Sequence, residues 1–521
     1  MNGRLKKILL LALAAVLLVA IAPIQRALNR DREALGLTRQ SPLDNAPPVL
    51  AFTTVALGGF SGLIANALWI RAMELQDEDK FFEMQQLADW IMKLEPHFTQ
   101  VWVVQAWNMA YNISVKFKES APGEFPDRWR WVNGGIKLLR DDGLRFNPND
   151  VLIFRELAWF YQHKMGANLD DANMYYKEMW AREMSRVFGE KGLNLDELIN
   201  PATDDARRRQ QLLTNEFKLD PAFMKVVNER YGPLEWRLPE AHAIYWAARG
   251  LEMARLNPTK IKSEDLIQLG RVIFQSMQLS FRRGRLVSNP FQQGIETGPN
   301  LAIIPRANAA YEEQLKDRGN QYRMNIEGAH RNFLRDAVIF LYSAGRVADA
   351  TTWYNYLVEK YPDKPLIEND PNSFPRNVTL RQFVVAQIMI DVGETDRDKV
   401  KARLEEFVGG AYLFLARGES ELYAGYRLMA RDLWASYMEK ISGGGSAGKV
   451  RVGLPPVEET EKEMLKRMLD PQEGLPPEMR AILRTELRLG PEPIAAPPNG
   501  SGAATNTPSA TTNTPPVKLD K

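Results

Sequence analysis

The sequence predicts an all-α protein in which helix–turn–helix units follow one another along a chain of 521 residues. Three observations predict this fold class. From Arg71 to about Ile441, apolar residues recur at three- and four-residue spacing, as they do on one face of a helix. Alternating runs typical of strands are scarce. Asn-Pro, Glu-Pro and Tyr-Pro steps mark helix ends, because the residue before a proline is pushed out of the α region.

Composition narrows the possible functions. Hydrophobic residues make up 45% of the chain, so most of it can bury a core. The formal net charge of +2 is spread along the sequence, which predicts no general attraction for nucleic acid. The chain contains no cysteine, and this excludes disulfides, thiolate catalysis and cysteine-ligated metal centres.

The N-terminus predicts a signal anchor in residues 1–30. Three basic residues precede an uncharged run, 8–24, which as a helix would span roughly 25 Å of the ~30 Å hydrocarbon core. The alternative is a cleaved signal peptide. However, Pro23 directly follows the small-residue triplet 20–22, and proline is a poor residue after a scissile bond. We therefore expect a retained single span.

The basic N-terminus favours an orientation in which the large domain is extracytoplasmic. Residues 31–48 read as a linker. A second uncharged run, 49–70, contains several glycines and polar residues, so we interpret it as a buried or interfacial helix that opens the soluble domain. The alternative is a second span, which would return the domain to the cytoplasm.

The clearest internal unit covers residues 332–362. Gly345 is placed at the turn between two helices, and Ala350, Tyr354 and Leu357 follow it at offsets of five, nine and twelve residues. A proline closes the unit seventeen residues after the glycine. A small residue lets two helices cross closely and an aromatic residue fills the gap between them, so this spacing predicts a packed helix pair.

This unit resembles the tetratricopeptide (TPR) repeat, a 34-residue helix–turn–helix. Further units with the same punctuation begin at Pro96 and Pro148, and looser ones run through Phe383 and end at Pro258. The order of an anchor followed by divergent repeats is similar to that of bacterial membrane-anchored TPR proteins. The resemblance implies a TPR-like α-solenoid over residues 49–441, and the alternative is an irregular helical bundle.

The resemblance also implies a binding surface, because the first helix of each TPR unit lines a concave groove. Carried over position by position, the groove residues are Gln100, Val103, Trp107 and Tyr111; Arg155, Trp159, Gln162 and His163; and Asn332, Arg335 and Tyr342. Aromatic and arginine residues are typical anchors for a protein or peptide partner. The alternative is that Trp107 and Trp159 belong to the core.

A second aromatic segment runs from Gly232 to Gly250. Its candidate pocket residues are Trp236, Arg237, His242, Tyr245 and Trp246. Three of them share one helix face at three- and four-residue spacing. The segment reads as a core patch, as an aromatic binding pocket, or as a site for acid–base catalysis by His242.

Motifs for chemistry are otherwise missing from the sequence. The chain has four histidines, and none has another at the spacing of a helical metal pair. The glycine-rich run 443–449 resembles a phosphate-binding loop, but Val450 follows it where a hydroxyl would hold Mg²⁺. We expect no catalytic residue, no metal and no cofactor.

The amino-acid composition changes beyond residue 441. Residues 442–490 contain a Gly/Ser linker and two short amphipathic stretches, 457–469 and 477–489, and residues 491–521 have the composition of a disordered tail.

The leading hypothesis for the function of the whole chain is a membrane-anchored scaffold that binds a protein or peptide partner. Its rival is an envelope enzyme or glycan-binding protein that uses tryptophan-rich pockets.

Overall fold

The prediction of an all-α protein is confirmed. A computed structural model describes residues 23, 27–28, 30–31, 61–189, 194–256, 263–287, 295–316, 323–367, 370–389, 397–442 and 453–490. Most of these residues are helical, and the strands among them are two of three residues each. The described residues divide into two compact units, one up to residue 326 and one over 327–490.

The first unit is built from helices of five to twenty-one residues. They are α1 (Ser61–Asp77), α2 (Phe81–Leu94), α3 (Thr99–Trp107), α4 (Pro126–Lys137), α5 (Val151–Trp159), α6 (Asn173–Phe188), α7 (Leu195–Ile199), α8 (Asp204–Gln211), α9 (Pro221–Tyr231), α10 (Pro239–Leu256), α11 (Ser263–Arg283) and α12 (Ile304–Lys316).

Several of these helices continue without a break into π-helical turns. The π segments are Asn108–Ile113 after α3, Leu138–Gly143 after α4, Phe160–Gly166 after α5 and Leu212–Glu216 after α8. The first and second are followed by short helical pieces, Ser114–Lys116 and Leu144–Phe146. A π turn holds more residues than an α turn, so it rotates the side chains that follow it. Such turns are frequent at functional sites.

Packing in the first unit joins helices that are distant in sequence. Helix α5 packs on α10 and α11 as well as on its own neighbours, so helices α6 to α9 form an insertion between packed elements. Gly250 allows this approach, because a Cβ there would lie 3.0 Å from both Leu269 and Phe154. In a regular solenoid each repeat contacts only its neighbours, and this region departs from that rule.

A small hairpin interrupts the helices of the first unit. Strand β1 (Arg285–Val287) pairs antiparallel with β2 (Glu296–Gly298), and a 3₁₀ turn over Leu301–Ile303 leads into α12. The sequence marks residues 288–305 as a break in the helical period, but the strands are too short to be recognised from alternation.

The second unit begins inside a long helix and contains seven helices among its described residues. They are α13 (Arg323–Ser343), α14 (Val347–Lys360), α15 (Leu380–Met389), α16 (Arg397–Ala416), α17 (Ser420–Ser442), α18 (Val457–Met468) and α19 (Pro477–Glu486), with a 3₁₀ turn over Pro375–Asn377. Helices α18 and α19, which form the predicted amphipathic stretches, pack on α16.

The turn predicted at Gly345 lies between α13 and α14. Gly345 has φ +73°, a left-handed conformation that favours glycine. Ala350 and Leu357 are fully buried and Tyr354 nearly so. Helix α17 closes over this turn at Gly425, where a Cβ would lie 2.0 Å from the Ser343 carbonyl oxygen.

The structure decides the burial of His330 and of the C-terminal part of the run 49–70. A histidine near the start of a predicted helix is expected at the surface, but His330 is fully buried in α13 and shares a 2.9 Å hydrogen bond with the Tyr361 hydroxyl. The C-terminal part of the run 49–70 forms the start of α1, where Leu63 and Ile70 are exposed, so this helix is not buried as a whole.

Several predicted segments lie outside the described residues. They are the anchor 8–24 and the linker 31–48 (apart from Pro23 and Asp31), the start of the second uncharged run at 49–60, the glycine-rich run 443–449 and the tail 491–521. Among the helices that are described, none combines the length and the apolar character needed to cross a bilayer.

Candidate functional site

Four half-buried rings from α3, α5 and the π segments that continue them form a continuous aromatic row. Trp107 and Tyr111 stack with their ring centres 4.3 Å apart, and Trp159 and His163 stack at 4.6 Å. The two pairs meet where the Tyr111 hydroxyl lies 3.2 Å from His163 Nδ1, in a hydrogen bond whose direction depends on the tautomer. The sequence predicted these four residues as groove residues, and the fold brings them together.

Buried side chains pack beneath the row. Phe160 is fully buried, and its ring meets the rings of Trp107 and Tyr111 edge-on at 6.0 and 5.6 Å. The indole Nε1 of Trp107 donates a 2.7 Å hydrogen bond to the carboxylate of Glu156, which is itself buried. Tyr111 and His163 both lie in π segments, so the π turns contribute to the direction in which their rings point.

Arg155 and Gln162 serve the packing of α5 rather than the row. The Arg155 guanidinium pairs with Glu156 and, at 2.6 Å, with Asp265 of α11. Gln162 is buried and donates a hydrogen bond to the Val272 carbonyl, also on α11. Their assignment to a groove surface is therefore not supported, because these side chains tie α5 to α11.

A pocket of about 530 Å³ opens beside the aromatic row. It is lined by Tyr111, Val115, Arg128, His163, Lys164, Leu169, Asp170 and Asp171. Leu169 is the most exposed of the large apolar residues at its rim, with 74% of its surface accessible. Since Tyr111 and His163 belong to both features, the row and the pocket form one surface.

The charges of this pocket neutralise each other. Lys164, whose side chain is 4% exposed, pairs with Asp170. Arg128 bridges Asp170, at 3.2 Å, and Asp171. The amide of Ala172 and the hydroxyl of Tyr176 also donate to Asp170. With two cations facing two carboxylates, this charged pocket has no excess charge to attract a free ion.

The ionisation of the pair is fixed by these contacts. Burial alone would raise the pKa of Asp170, but the hydrogen bond and charge of Lys164 outweigh it and lower that pKa to about 2. Burial lowers the pKa of Lys164, and Asp170 opposes this shift. Asp170 is therefore ionised at neutral pH and cannot serve there as a general acid.

The rings of the row are neutral near pH 7. Burial, and then the charge of Lys164, lower the pKa of His163 below its ordinary value. Burial also raises the pKa of the Tyr111 hydroxyl. The Lys164 ammonium lies 5.1 Å from the centre of the Tyr111 ring, a cation–π contact that holds this edge of the row in place.

The other predicted groove residues do not join this surface. Gln100 is exposed at the start of α3, and Val103 is buried in the same helix. In the second unit Asn332 is exposed and Arg335 donates to Gln387, while Tyr342 is buried and donates a 2.5 Å hydrogen bond to Asp432. Tyr342 is thus a core residue of the second unit.

The candidate pocket at Gly232–Gly250 is filled with its own side chains. Trp236, His242, Tyr245 and Trp246 are each at most 3% exposed, and we call them the buried aromatic cluster. His242 Nε2 shares a 2.8 Å hydrogen bond with the Trp236 carbonyl, and Arg237 forms a two-pronged pair with Glu235. The core alternative describes this segment, and the pocket and catalytic alternatives do not.

Sequence reasoning missed the charged half of the site. The charged residues of the site belong to no recognised sequence motif. Arg128 lies in α4, Lys164 lies in the π segment after α5, and Asp170 and Asp171 follow that segment. One signal was readable: Lys164 follows Phe160 by four residues and Tyr161 by three, so a charge falls on an apolar helix face. A charge placed there predicts a buried ion pair, although not its partner.

Comparison with models of protein families, with curated proteins and with solved structures finds no match for this chain. Within the described ranges no group of three or more potential ligand side chains is arranged to hold a metal ion.

Proposed function

We propose that this protein is a membrane-anchored, TPR-like scaffold that binds a protein or peptide partner through the aromatic row and the charged pocket. The observation that carries the proposal is the continuous row of four half-buried rings that opens onto the pocket. Aromatic anchors of this kind, held rigidly beside a cleft, are typical of the residues that dominate binding energy at interfaces.

Pre-organisation supports a binding role. The rings stack in two pairs, and Phe160 meets Trp107 and Tyr111 edge-on, so little side-chain entropy remains to be lost when a partner docks. The compensated charges of Arg128, Lys164 and the two aspartates favour a partner with an apolar anchor and a neutral or mixed polar rim. An apolar side chain is the natural occupant near Val115 and Leu169.

The rival hypothesis of an enzyme or glycan-binding protein has weaker support. Two carboxylates line the pocket, but both are held in ion pairs and the pKa of Asp170 is about 2. Stacking on a sugar uses an open ring face, and neither tryptophan of the row lines the pocket. In this row Trp107 is covered on one side by Tyr111, and Trp159 by His163.

The proposal includes the anchor and the repeat architecture. Residues 8–24 would hold the chain in the membrane as a single span, with the helical domain on the extracytoplasmic side. Support for the repeats comes from the α13–α14 turn at Gly345 and its buried Ala350 and Tyr354. A solenoid with an insertion at α6 to α9 fits the packing of the first unit.

The test is site-specific photocrosslinking in cells that produce the full chain. Benzoylphenylalanine is placed at Tyr111 or at Leu169, which line the pocket. The matched control is Val226 of α9, an apolar residue that is 55% exposed in the same unit. We expect both pocket positions to capture the same protein as a discrete adduct, and Val226 to capture none of it.

The adduct has to depend on the row. Adding Trp159→Ala to the Leu169 crosslinking variant should remove most of the adduct while the full-length band stays constant. If the pocket positions yield no adduct, or if Val226 yields the same one, the row is not the binding surface and the proposal is wrong.

A further inference from the structure

Helix α1 presents an exposed apolar face. Leu63 and Ile70 are seven residues apart, hence nearly in line along the helix, and they are 63% and 56% exposed. Ala67, between them, is exposed as well. Large apolar side chains with this much exposure in one line are unlike the scattered exposed residues that need no explanation.

The other face of α1 is well packed. Ala65, Ala72 and Leu75 are buried, and α1 packs along α2. Helix α1 therefore packs on α2 by one face. The apolar stripe of Leu63, Ala67 and Ile70 lies on the face that does not pack on α2. At the edge of α1, Trp69 meets the ring of Phe98 edge-on at 5.6 Å, and Phe98 is itself 40% exposed.

The position of the stripe in the sequence indicates what covers it. No charged residue occurs between Asp44 and Arg71, so the stripe continues an uncharged stretch of chain. The 36 residues from 25 to 60 separate α1 from the predicted anchor. Fully extended they would reach roughly 120 Å, so this length of chain permits α1 to lie at the bilayer that holds the predicted anchor.

We propose that α1 is an interfacial helix, which lies in the membrane surface with Leu63, Ala67 and Ile70 in the headgroup–acyl boundary. Apolar side chains of a helix in this layer are buried about 5–10 Å into the headgroup–acyl boundary, and tryptophan is enriched at the level of the headgroups. Trp69 and Phe98 sit at the headgroup level, and Arg71 begins the water-facing part. This inference rests on the anchor of the proposed function, because the anchor brings α1 to the membrane.

The test uses the lack of native cysteine, which makes single-cysteine labelling unambiguous. Leu63→Cys, Ile70→Cys and Val226→Cys are each made in the full chain, labelled with a nitroxide and reconstituted in phosphatidylcholine–phosphatidylglycerol vesicles. Val226 is the matched control, since it is an apolar helix residue with 55% exposure. Collision rates with oxygen and with a water-soluble nickel chelate give the depth of each label.

Labels at Leu63 and Ile70 should report depths of about 5–10 Å below the headgroup boundary, whereas the label at Val226 should behave as in water. The inference is overturned if the two α1 labels respond as the Val226 label does. It is also overturned if they are shielded from both quenchers, since residues 49–60 or a partner protein then cover the stripe.

Vesicle flotation of the same samples separates the two proposals. If the chain floats with the vesicles and resists carbonate but its α1 labels are aqueous, the anchor stands and only the interfacial helix is wrong. If the chain does not float, the anchor fails and the interfacial helix fails with it. Circular dichroism of each labelled variant should match that of the unlabelled chain, which shows that the fold is kept.

Discussion

Two aromatic regions of the first unit have nearly the same sequence signature and opposite surroundings. Each combines histidine with tryptophan and tyrosine at helical spacing. The rings of the aromatic row are half-buried beside a pocket, whereas those of the buried aromatic cluster are at most 3% exposed. Spacing along one helix thus tells which side chains share a face, but not whether that face meets solvent.

The neighbours decide the difference. His242 is enclosed by rings from other helices, among them Trp180 at 4.8 Å and Tyr161 at 5.3 Å between ring centres. Burial lowers the pKa of His242 to about 4. In the row, Trp107 and Tyr111 lie against Phe160. Tyr111 and His163 also line the pocket, so their rings are not enclosed. Variants in the row therefore have to be measured separately for folding stability and for partner binding.

The largest expected effect separates the two regions by stability. Trp236→Ala in the buried cluster and Tyr161→Ala beneath it should each cost about 3–5 kcal/mol of unfolding free energy, because they leave large cavities in a packed core. Trp159→Ala in the half-buried row should cost less than half of that. Urea unfolding followed by circular dichroism measures all three, and a Trp159 loss equal to that of Tyr161 would place Trp159 in the core.

The second effect is a loss of stability in acid that depends on His242. The folded protein keeps His242 neutral down to about pH 4, whereas the unfolded chain takes up a proton near pH 6.5. Stability should therefore fall as pH decreases through this window, by about 2 kcal/mol between pH 7 and 5. His242→Gln should flatten this slope.

The histidine titration can also be observed directly. The chain has four histidines, so selective isotope labelling resolves them by NMR. A His242 signal that titrates near pH 6.5 in the folded protein would contradict its enclosure.

Asp170 adds a further loss of folding stability at lower pH, because its pKa of about 2 lies below the ordinary carboxylate value and its stabilising charge disappears as the pH falls from about 4 to 2.

The third effect concerns partner affinity. Once a partner is captured and purified, Trp159→Ala should weaken its binding by about 2 kcal/mol, on the order of thirtyfold, because an anchor of the row is lost. Calorimetry with the full chain measures this. Val226→Ala, at a similarly apolar and exposed helix position, should bind as the wild type does. Equal losses for both variants would remove the functional contrast between the row and the rest of the surface.

The smallest effect concerns the role of Arg155 within α5. Arg155 and Asp265 are 27% and 18% exposed, and they join α5 to α11. A double-mutant cycle with Arg155→Ala and Asp265→Ala should give a coupling of about 1 kcal/mol in unfolding free energy. Partner affinity should stay the same in Arg155→Ala. A change in affinity without any coupling would return Arg155 to the binding surface.

The sequence by itself determined the helical character of the chain, the turn at Gly345 and the two amphipathic stretches that form α18 and α19. These features depend on residues close together in the chain: apolar spacing, glycine at a positive φ and proline at helix ends. The resemblance to TPR units also placed Trp107, Tyr111, Trp159 and His163 among eleven expected groove residues, without separating these four from the other seven.

Only the tertiary structure decided which aromatic residues are core and which are surface. The packing of α5 on α10 and α11 and the pairing of Arg128 with Asp171 join segments that are far apart in the chain. The pairing of Lys164 with Asp170 depends on how the loop after the π segment Phe160–Gly166 folds back. A helix face has the same sequence pattern whether a neighbouring helix or a pocket lies against it. Burial therefore depends on where the neighbouring helix lies, and the spacing of residues along one helix does not contain that information.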